Sequence, residues 1–356
     1  MRPPETPREK RKNGMKHWKK LLSLTLTLAL VLALAGCGKT DAADTETEDQ
    51  TEEQTEEVTG ESYAIAALKG PTAMGLVKLM SEAEGGADFI NDYTFTLAAS
   101  ADEVSPLLMK GELDMACVPA NLAAVLYQKT EGDIVTLAVN TLGVLYIVEN
   151  GNAVASMGDL AGKTIVASGK GSTPEYALRY LLSENGLDPD TDVTIDWKSE
   201  HSECVSALAT GAATIAMLPQ PFVTVAQSKI EGLRVALDLT EQWDALDNGS
   251  ALLTGVIVAR REVVEANPAA VDAFLKDYAG SVEWVNANTA EAAELIGSYD
   301  IVEAAVAEKA LPYCNIVCIT GGEMKDKLSG YLQVLSDADA ASVGGAMPGD
   351  DFYYGA

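Results

Sequence analysis

The chain has 356 residues, with 25 lysines and arginines against 53 aspartates and glutamates, and a net charge of −28 at pH 7. Residues 1–36 hold eight basic and two acidic residues, so the chain without them has 17 basic against 51 acidic residues and a net charge of −34. This acidity argues against nucleic acid as a partner. The only histidines are His17 and His201, which argues against a histidine-based metal site.

The N-terminus has the pattern of a signal peptide. Three lysines between positions 16 and 20 precede an apolar run, Leu21–Ala35, that is too short to span a bilayer comfortably. We interpret residues 1–36 as the signal peptide and residues 1–14 as sequence upstream of a start at Met15. The mature protein is therefore expected to be extracytoplasmic.

A cysteine follows the expected cleavage point. The motif Leu34-Ala35-Gly36-Cys37 resembles the bacterial lipobox, in which small residues precede the cut and the new N-terminal cysteine is acylated. Fatty acyl chains such as palmitate contribute about 0.8 kcal/mol per buried methylene, so two chains would hold the protein on a membrane. We predict lipidation at Cys37. An ordinary secretory signal followed by an incidental cysteine is the alternative.

Residues 37–61 differ sharply in composition from residues 62–356. Asp41–Glu61 contains ten acidic residues, no basic or aromatic residue, and Val58 as its one large aliphatic side chain. Such a segment cannot bury a core, and its like charges favour an extended chain. We predict a disordered acidic tether. A cation-binding acidic tail is the alternative.

The remaining residues alternate short β-branched runs with amphipathic stretches, which predicts an α/β fold with mostly parallel sheets and enough chain for two lobes. The predicted strands are Tyr63–Leu68, Tyr93–Ala98, Leu113–Val118, Ile134–Val139, Leu145–Val148, Thr164–Ala167, Val193–Trp197, Thr214–Leu218, Val235–Leu237 and Leu252–Ala259. Helical spacing predicts helices at Met74–Met80, Tyr176–Leu182 and Val271–Val285.

An internal sequence repeat, here called the internal echo, predicts that the two lobes have the same topology. Six residues between 108 and 125 recur in kind 100 positions later: Leu108, Gly111, Ala116, Val118, Pro119 and Val125 match Leu208, Gly211, Ala216, Leu218, Pro219 and Val225. Lys69–Thr72 and Lys170–Thr173 form a second pair at an offset of 101. Each block follows a strand, and ligands of open α/β sheets bind at the carboxyl ends of strands. Chance matching of common residues is the alternative.

Two further blocks carry a family resemblance. Gly111–Ala116 reads Gly-Glu-Leu-Asp-Met-Ala, and 159–165 reads Asp-Leu-Ala-Gly-Lys-Thr-Ile. Together with the lipobox and tether, they resemble the solute-binding proteins of the nitrate/sulfonate/taurine and thiamine-pyrimidine-precursor group of ABC importers. The resemblance covers roughly residues 62–345 and implies a two-lobed type II periplasmic-binding-protein fold with a ligand cleft between lobes that close by hinge motion.

On this fold we expect lobe one at 62–143 plus 254–345, lobe two at 144–253, and a C-terminal tail at 346–356. The crossovers then fall near Asn140–Gly143 and Ser250–Gly255, which both contain glycine.

The ligand contacts are predicted from the strand ends. Ser172 and Glu175 have capping-box spacing, so the helix that they open should offer the free amide of Gly171 to an anionic or carbonyl group. Amides and hydroxyls beside the other strands and crossovers complete the set, with Tyr176 as a stacking surface. The predicted contacts are Lys69, Pro71, Thr72, Asn121, Asn140, Thr141, Ser168, Gly171, Ser172, Thr173, Tyr176, Gln220 and Thr254. Helix capping, turn formation and core packing are the alternatives, and N-terminal helix packing is the interpretation of His201.

Four cysteines remain after Cys37, namely Cys117, Cys204, Cys314 and Cys318, and we expect buried small hydrophobes. If 314–318 is extended, its two cysteines lie about 13 Å apart, too far for a disulfide. No nucleophile motif, paired catalytic carboxylates or phosphate loop is present, so no enzyme activity or cofactor is expected.

The sequence thus predicts a monomeric, lipid-anchored solute-binding protein that passes a small organic or anionic solute to an ABC permease and its ATPase. The expected solutes are sulfonate-, nitrate-, taurine- or pyrimidine-like. A fold-related enzyme of the menaquinone-pathway type and a solute-sensing lipoprotein are the alternatives.

Overall fold

The computed structural model describes residues 59–356, so the predicted signal peptide, Cys37 and nearly all of the predicted tether lie outside the described residues. The strands are β1 Ser62–Leu68, β2 Asp92–Ala98, β3 Met115–Pro119, β4 Ile134–Leu142, β5 Leu145–Glu149, β6 Thr164–Ser168, β7 Thr194–Lys198, β8 Ile215–Pro219, β9 Arg234–Asp238, β10 Leu253–Arg260 and β11 Ile316–Ile319. All ten predicted strands are present, and β11 is additional.

The α-helices are α1 Pro71–Met74, α2 Val77–Glu84, α3 Ala101–Met109, α4 Ala120–Lys129, α5 Thr173–Glu184, α6 His201–Ala209, α7 Phe222–Lys229, α8 Leu239–Asp244, α9 Arg261–Ala266, α10 Pro268–Ala287, α11 Thr289–Ser298, α12 Ala304–Ala310 and α13 Gly321–Ala338. Short 3₁₀ turns lie at Met157–Leu160, Leu311–Tyr313, Ala340–Val343 and Asp350–Phe352. Within residues 59–356, no helix is long and apolar enough to cross a membrane.

The strands form two sheets of the same plan. The first has the order β11-β4-β10-β3-β1-β2 and the second the order β7-β6-β8-β5-β9. In each sheet the strand next to one edge, β1 or β6, pairs in parallel with both of its neighbours. Beyond the inner neighbour, β3 or β8, the following strand, β10 or β5, runs antiparallel. Strand β8 lies 100 residues after β3, and α6 lies 100 residues after α3, so the internal echo reflects repeated topology.

We call the six-stranded sheet with its helices lobe one, and the five-stranded sheet with its helices lobe two. The expectation of mostly parallel sheets was wrong, because β5, β10 and β11 all pair antiparallel with their neighbours. The antiparallel strands β5 and β10 are those at which the chain changes sheet. Strand β4 of the first sheet leads directly into β5 of the second, and β10 is the strand with which the chain re-enters the first sheet.

The predicted helix at Met74–Met80 is interrupted, since α1 ends at Met74 and α2 begins at Val77. The carbonyl of Gly75 between them accepts a hydrogen bond of 2.6 Å from the Ser281 hydroxyl. A Cβ at Gly75 would lie only 2.7 Å from the Tyr278 hydroxyl oxygen. Close packing of α10 on this turn therefore replaces the continuous helix.

Helix α13 contacts both lobes. It follows β11 of lobe one and packs against α4 and β4, but also against α5 of lobe two. The Tyr331 hydroxyl donates to Thr173 Oγ1 at 3.2 Å, and the Tyr331 ring lies 5.6 Å from that of Trp243. One apolar cluster consequently includes side chains from both sheets and from α13.

The C-terminal segment packs on lobe one. Phe352 is completely buried, with its ring 5.3 Å from that of Tyr127, and Tyr353 forms a β-bridge with Thr136. Arg261 and Tyr127 both bond the carboxylate of Asp351. Residues 350–354 therefore contribute to the core of lobe one.

Replacement of Phe352 tests this contribution. Because Phe352→Ala leaves a cavity beside Tyr127, it should lower the free energy of unfolding by about 3–5 kcal/mol in a denaturant titration. The control Asp350→Ala removes only an exposed ion pair with Lys325 and should leave that free energy nearly unchanged. Equal effects of the two variants would show that the segment does not form part of the core.

Candidate functional site

Polar side chains gather where the strands of the two sheets end. Of the thirteen buried polar or charged residues within 59–356, seven belong to the predicted contacts: Thr72, Asn121, Asn140, Thr141, Ser168, Thr173 and Gln220. Burial of a polar group is costly unless it is hydrogen-bonded. The concentration of such groups at one edge of each sheet therefore marks the candidate site.

A first cluster lies where β4 and β10 approach the crossovers. Asn140 Nδ2 donates to the Thr72 carbonyl at 3.2 Å, and Thr141 Oγ1 donates to Asn140 Oδ1 at 3.1 Å. Gly255 pairs with Thr141, and a Cβ there would lie 2.5 Å from both Asn140 Oδ1 and Thr72 Cγ2. The buried Thr254 Oγ1 has no hydrogen-bond partner among residues 59–356. Four predicted residues are thus brought together, and Thr254 still has hydrogen-bonding capacity.

A second cluster joins the lobes directly. Thr173 Oγ1, at the start of α5 in lobe two, lies 3.4 Å from Asn121 Oδ1 on α4 of lobe one. Asn121 Nδ2 in turn donates to the Ser342 carbonyl at 3.2 Å. With the bond from Tyr331 to Thr173, these contacts form a chain of hydrogen bonds across the two lobes. Two residues predicted for opposite walls of the cleft are therefore in contact.

A third cluster in lobe two contains a residue that the sequence analysis did not assign to the site. Ser168, at the end of β6, forms a short hydrogen bond with His201 Nδ1, and the imidazole ring lies 5.0 Å from that of Phe222. Gln220 Oε1 accepts from Thr224 Oγ1 at 2.9 Å. His201 follows β7 by three residues, so the strand-end rule that selected the other contacts also applies to it.

Burial lowers the pKa of His201 to about 4. The unfolded chain takes up this proton near pH 6.5, whereas the folded ring does so only near its lowered value. The resulting contribution to stability is full above pH 6.5 and falls as the pH drops toward 4. His201 is consequently an uncharged hydrogen-bonding ring at neutral pH.

The predicted capping box at α5 is wrong, although Ser172 is the N-cap residue. Ser172 Oγ donates to the Gly169 carbonyl at 2.8 Å, and Glu175 Oε2 accepts from the amide of Gly171 at 2.7 Å. Gly169 and Gly171 have φ of 84° and 78°, and these left-handed turns fold the loop back onto the helix. The amide that was expected to be free for a ligand is therefore occupied by a carboxylate.

Besides Gly171 and Ser172, three further predicted contacts lie apart from these clusters. Lys69 Nζ forms an ion pair of 2.8 Å with Asp300, and Pro71 is the first residue of α1. Tyr176 lines a groove of about 890 Å³ between α5 and α13, together with Arg179 and Tyr180. None of these three shares a hydrogen bond with the three clusters among the described residues.

The cysteines are consistent with small hydrophobes. Cys117, Cys204 and Cys314 are buried, Cys318 is partly buried, and all four are free thiols. Burial raises the pKa of Cys117 and Cys314 to about 12, so neither is a reactive thiolate. Within residues 59–356, no group of three His, Cys, Asp or Glu side chains is placed to hold a metal ion.

Two α/β lobes whose polar strand ends meet across a shared boundary define a solute-binding protein of the periplasmic type. The family model of ABC transporter phosphonate periplasmic substrate-binding proteins matches residues 89–311, and the chain belongs to this family. The prediction that the chain is an ABC-transporter substrate-binding protein is thereby confirmed. No curated protein matches the chain.

Solved structures share the fold at low identity. An ABC transporter protein from Parabacteroides distasonis has a TM-score of 0.69 and 22% identity, covering 82% of this chain and 98% of that one. The periplasmic aliphatic sulphonate binding protein SsuA from Escherichia coli has a TM-score of 0.66 and 17% identity, and the match covers 82% of this chain and 96% of that one. The periplasmic nitrate-binding protein NrtA from Synechocystis has a TM-score of 0.52 and 15% identity, and the match covers 70% of this chain and 69% of that one. These similarities confirm the predicted two-lobed fold.

The close approach at Gly255 can be tested by adding a single methyl group. Gly255→Ala places a Cβ against Asn140 and Thr72, and the forced displacement should lower the free energy of unfolding by about 1–3 kcal/mol. The control Gly280→Ala, in α10 with no neighbouring atom within 4 Å of the added Cβ, should leave stability unchanged or raise it by up to about 1 kcal/mol. If Gly255→Ala left the free energy of unfolding unchanged, the strand ends would be loosely packed.

Proposed function

We propose that the protein is an extracytoplasmic, lipid-anchored solute-binding protein that encloses a small solute between its lobes and delivers it to an ABC permease and its ATPase. The observation that carries the proposal is the hydrogen bond between Asn121 of lobe one and Thr173 of lobe two, with further neutral polar groups buried around it. Groups that bond one another across the lobe boundary can instead bond a solute that lies between them.

The proposed mechanism is hinge closure. The chain passes between the sheets at Leu142–Leu145 and again between Asp244 and Leu253, so few backbone dihedrals need to change. A solute that contacts both lobes has a higher affinity for the closed form than for the open form. That difference in affinity shifts the population toward the closed form, which the permease would recognise.

The proposed solute class is sulfonate-, nitrate-, taurine- or pyrimidine-like. Its support is the family, whose description names phosphonate, and the structural neighbours, whose names include sulphonate and nitrate. The clusters at the strand ends supply amide and hydroxyl groups that can both donate and accept hydrogen bonds.

Anchoring is proposed to occur through acylation of Cys37, with the acidic segment to Glu61 as the tether. The tether's negative charge would keep the folded part away from anionic surfaces and leave both lobes accessible to the permease. We propose that the protein acts as a monomer.

A thermal-shift screen of the protein without residues 1–37 tests the binding function. A solute at 100 times its dissociation constant stabilises the folded state by about 2.7 kcal/mol, which should raise Tm by several degrees. Small-angle scattering with that solute should show a smaller radius of gyration. Identical scattering profiles with and without it would exclude hinge closure.

Two threonine variants provide the matched pair for this screen. Thr173→Val removes the hydroxyl between the lobes and should weaken solute binding about tenfold. Thr130→Val removes a hydroxyl that donates to the Leu126 carbonyl within lobe one, and it should leave binding unchanged. Equal affinities of the two variants would place the solute away from the lobe boundary.

Lipidation is tested by Cys37→Ser in the full chain. The variant should move from the membrane fraction to the soluble fraction and lose the mass of its acyl chains, because the acyl chains are the proposed anchor. Cys318→Ser, at a partly buried thiol in lobe one, is the control that should stay with the membrane. A Cys37→Ser protein that remains membrane-bound with unchanged mass would contradict the proposal.

A further inference from the structure

The candidate site is composed of uncharged groups. Residues 59–356 contain sixteen lysines and arginines, and none of them is buried. Within residues 59–356 the one buried charged side chain is Glu149, which pairs with Ile215, the first residue of β8, and bonds Arg234. In this part of the chain, the strand ends that face the lobe boundary therefore bury hydroxyls and amides without a cation among them.

The two lysines that precede the predicted ligand loops do not supply positive charge to the site either. Lys69 is already paired with Asp300, and Lys170 is exposed to solvent. The amide of Gly171, where an anion would be expected to bind, donates instead to the carboxylate of Glu175. A solute carrying an unneutralised negative charge would meet a like charge at this helix start.

Lobe two adds an aromatic surface to these neutral groups. The rings of His201 and Phe222 lie 5.0 Å apart with their planes inclined by 45°, and Phe222 begins α7, which packs against α12 of lobe one. Ser168 holds the imidazole through Nδ1, so ring orientation is fixed. His201 Nε2 and Gln220 Nε2 have no hydrogen-bond partner among the described residues. Both nitrogens are available to a solute that packs beside the Phe222 ring.

We infer that the solute is an uncharged, planar heterocyclic compound and that His201 determines specificity by bonding it through Nε2. This inference rests on the proposed solute-binding function and narrows its ligand class. A flat ring would lie against the His201 and Phe222 surface, with its polar edge toward Gln220 and the hydroxyls at the strand ends. The lowered pKa of His201 supports a neutral imidazole in this role.

The test compares neutral heterocycles with their anionic carboxylate counterparts. The probes are nicotinamide with nicotinate, and uracil with orotate, alongside methylphosphonate, isethionate and nitrate. Binding to the protein without residues 1–37 is measured by thermal shift and calorimetry at low and high ionic strength. The neutral member of a pair should bind, with an affinity that changes little with salt, because screening acts on charge pairs.

Two substitutions of His201 separate its hydrogen bond from its packing. His201→Phe retains a ring beside Phe222 but removes Nε2, and it should weaken binding of the neutral probe about tenfold. His201→Gln retains an uncharged hydrogen-bonding group and should recover part of that affinity. Both variants should melt cooperatively, which shows that any loss of binding is not a loss of folding.

Each result has a distinct meaning. Salt-sensitive binding of an anionic probe, without binding of its neutral counterpart, would overturn the inference and leave the solute-binding function intact. Binding of a neutral probe that is unaffected by His201→Phe would overturn the role of His201. A response to none of the probes, neutral or anionic, would count against the binding function itself and against the inference with it.

Discussion

The structure depends on one interaction: hydrogen bonds offset the cost of burying polar side chains where the two lobes meet. Asn121, Asn140 and Thr173 are all buried, and each is satisfied by a group from another segment of the chain. Apolar residues at these positions would hold the lobes together without this directional requirement. Because these groups form hydrogen bonds, the lobes are held together only where each donor faces an acceptor. A solute between the lobes can supply such donors and acceptors as well as the protein can.

Helix α13 extends this coupling beyond the two crossover segments. Its Tyr331 contacts Thr173 and Trp243 of lobe two, while Lys325 near its start bonds Asp350 of the C-terminal segment on lobe one. Any rearrangement of the lobes must therefore break or repack contacts along α13. The helix is in this way a third physical link, and it contributes to the energy difference between open and closed forms.

The sequence predicted the ten strands and the common plan of the lobes because these depend on local periodicity and on a repeat within one chain. Predictions from the sequence were wrong where the local structure depends on contacts with distant segments of the chain. The helix at Met74–Met80 is interrupted by α10 packing on Gly75, and the Gly171 amide is taken by Glu175. The position of His201 directly after Glu200 indicates only the start of a helix, so local sequence does not reveal the contact of its ring with Ser168.

The sequence by itself determined the two-lobed α/β class and the strand ends at which polar groups are placed, because hydrophobic runs and turn residues are local signals. Only the tertiary structure decided which of those groups meet. The contact of Asn121 with Thr173 spans 52 residues, and that of Tyr331 with Thr173 spans 158. Such pairings follow from how the two sheets and α13 pack together, and no periodicity within a single segment encodes them.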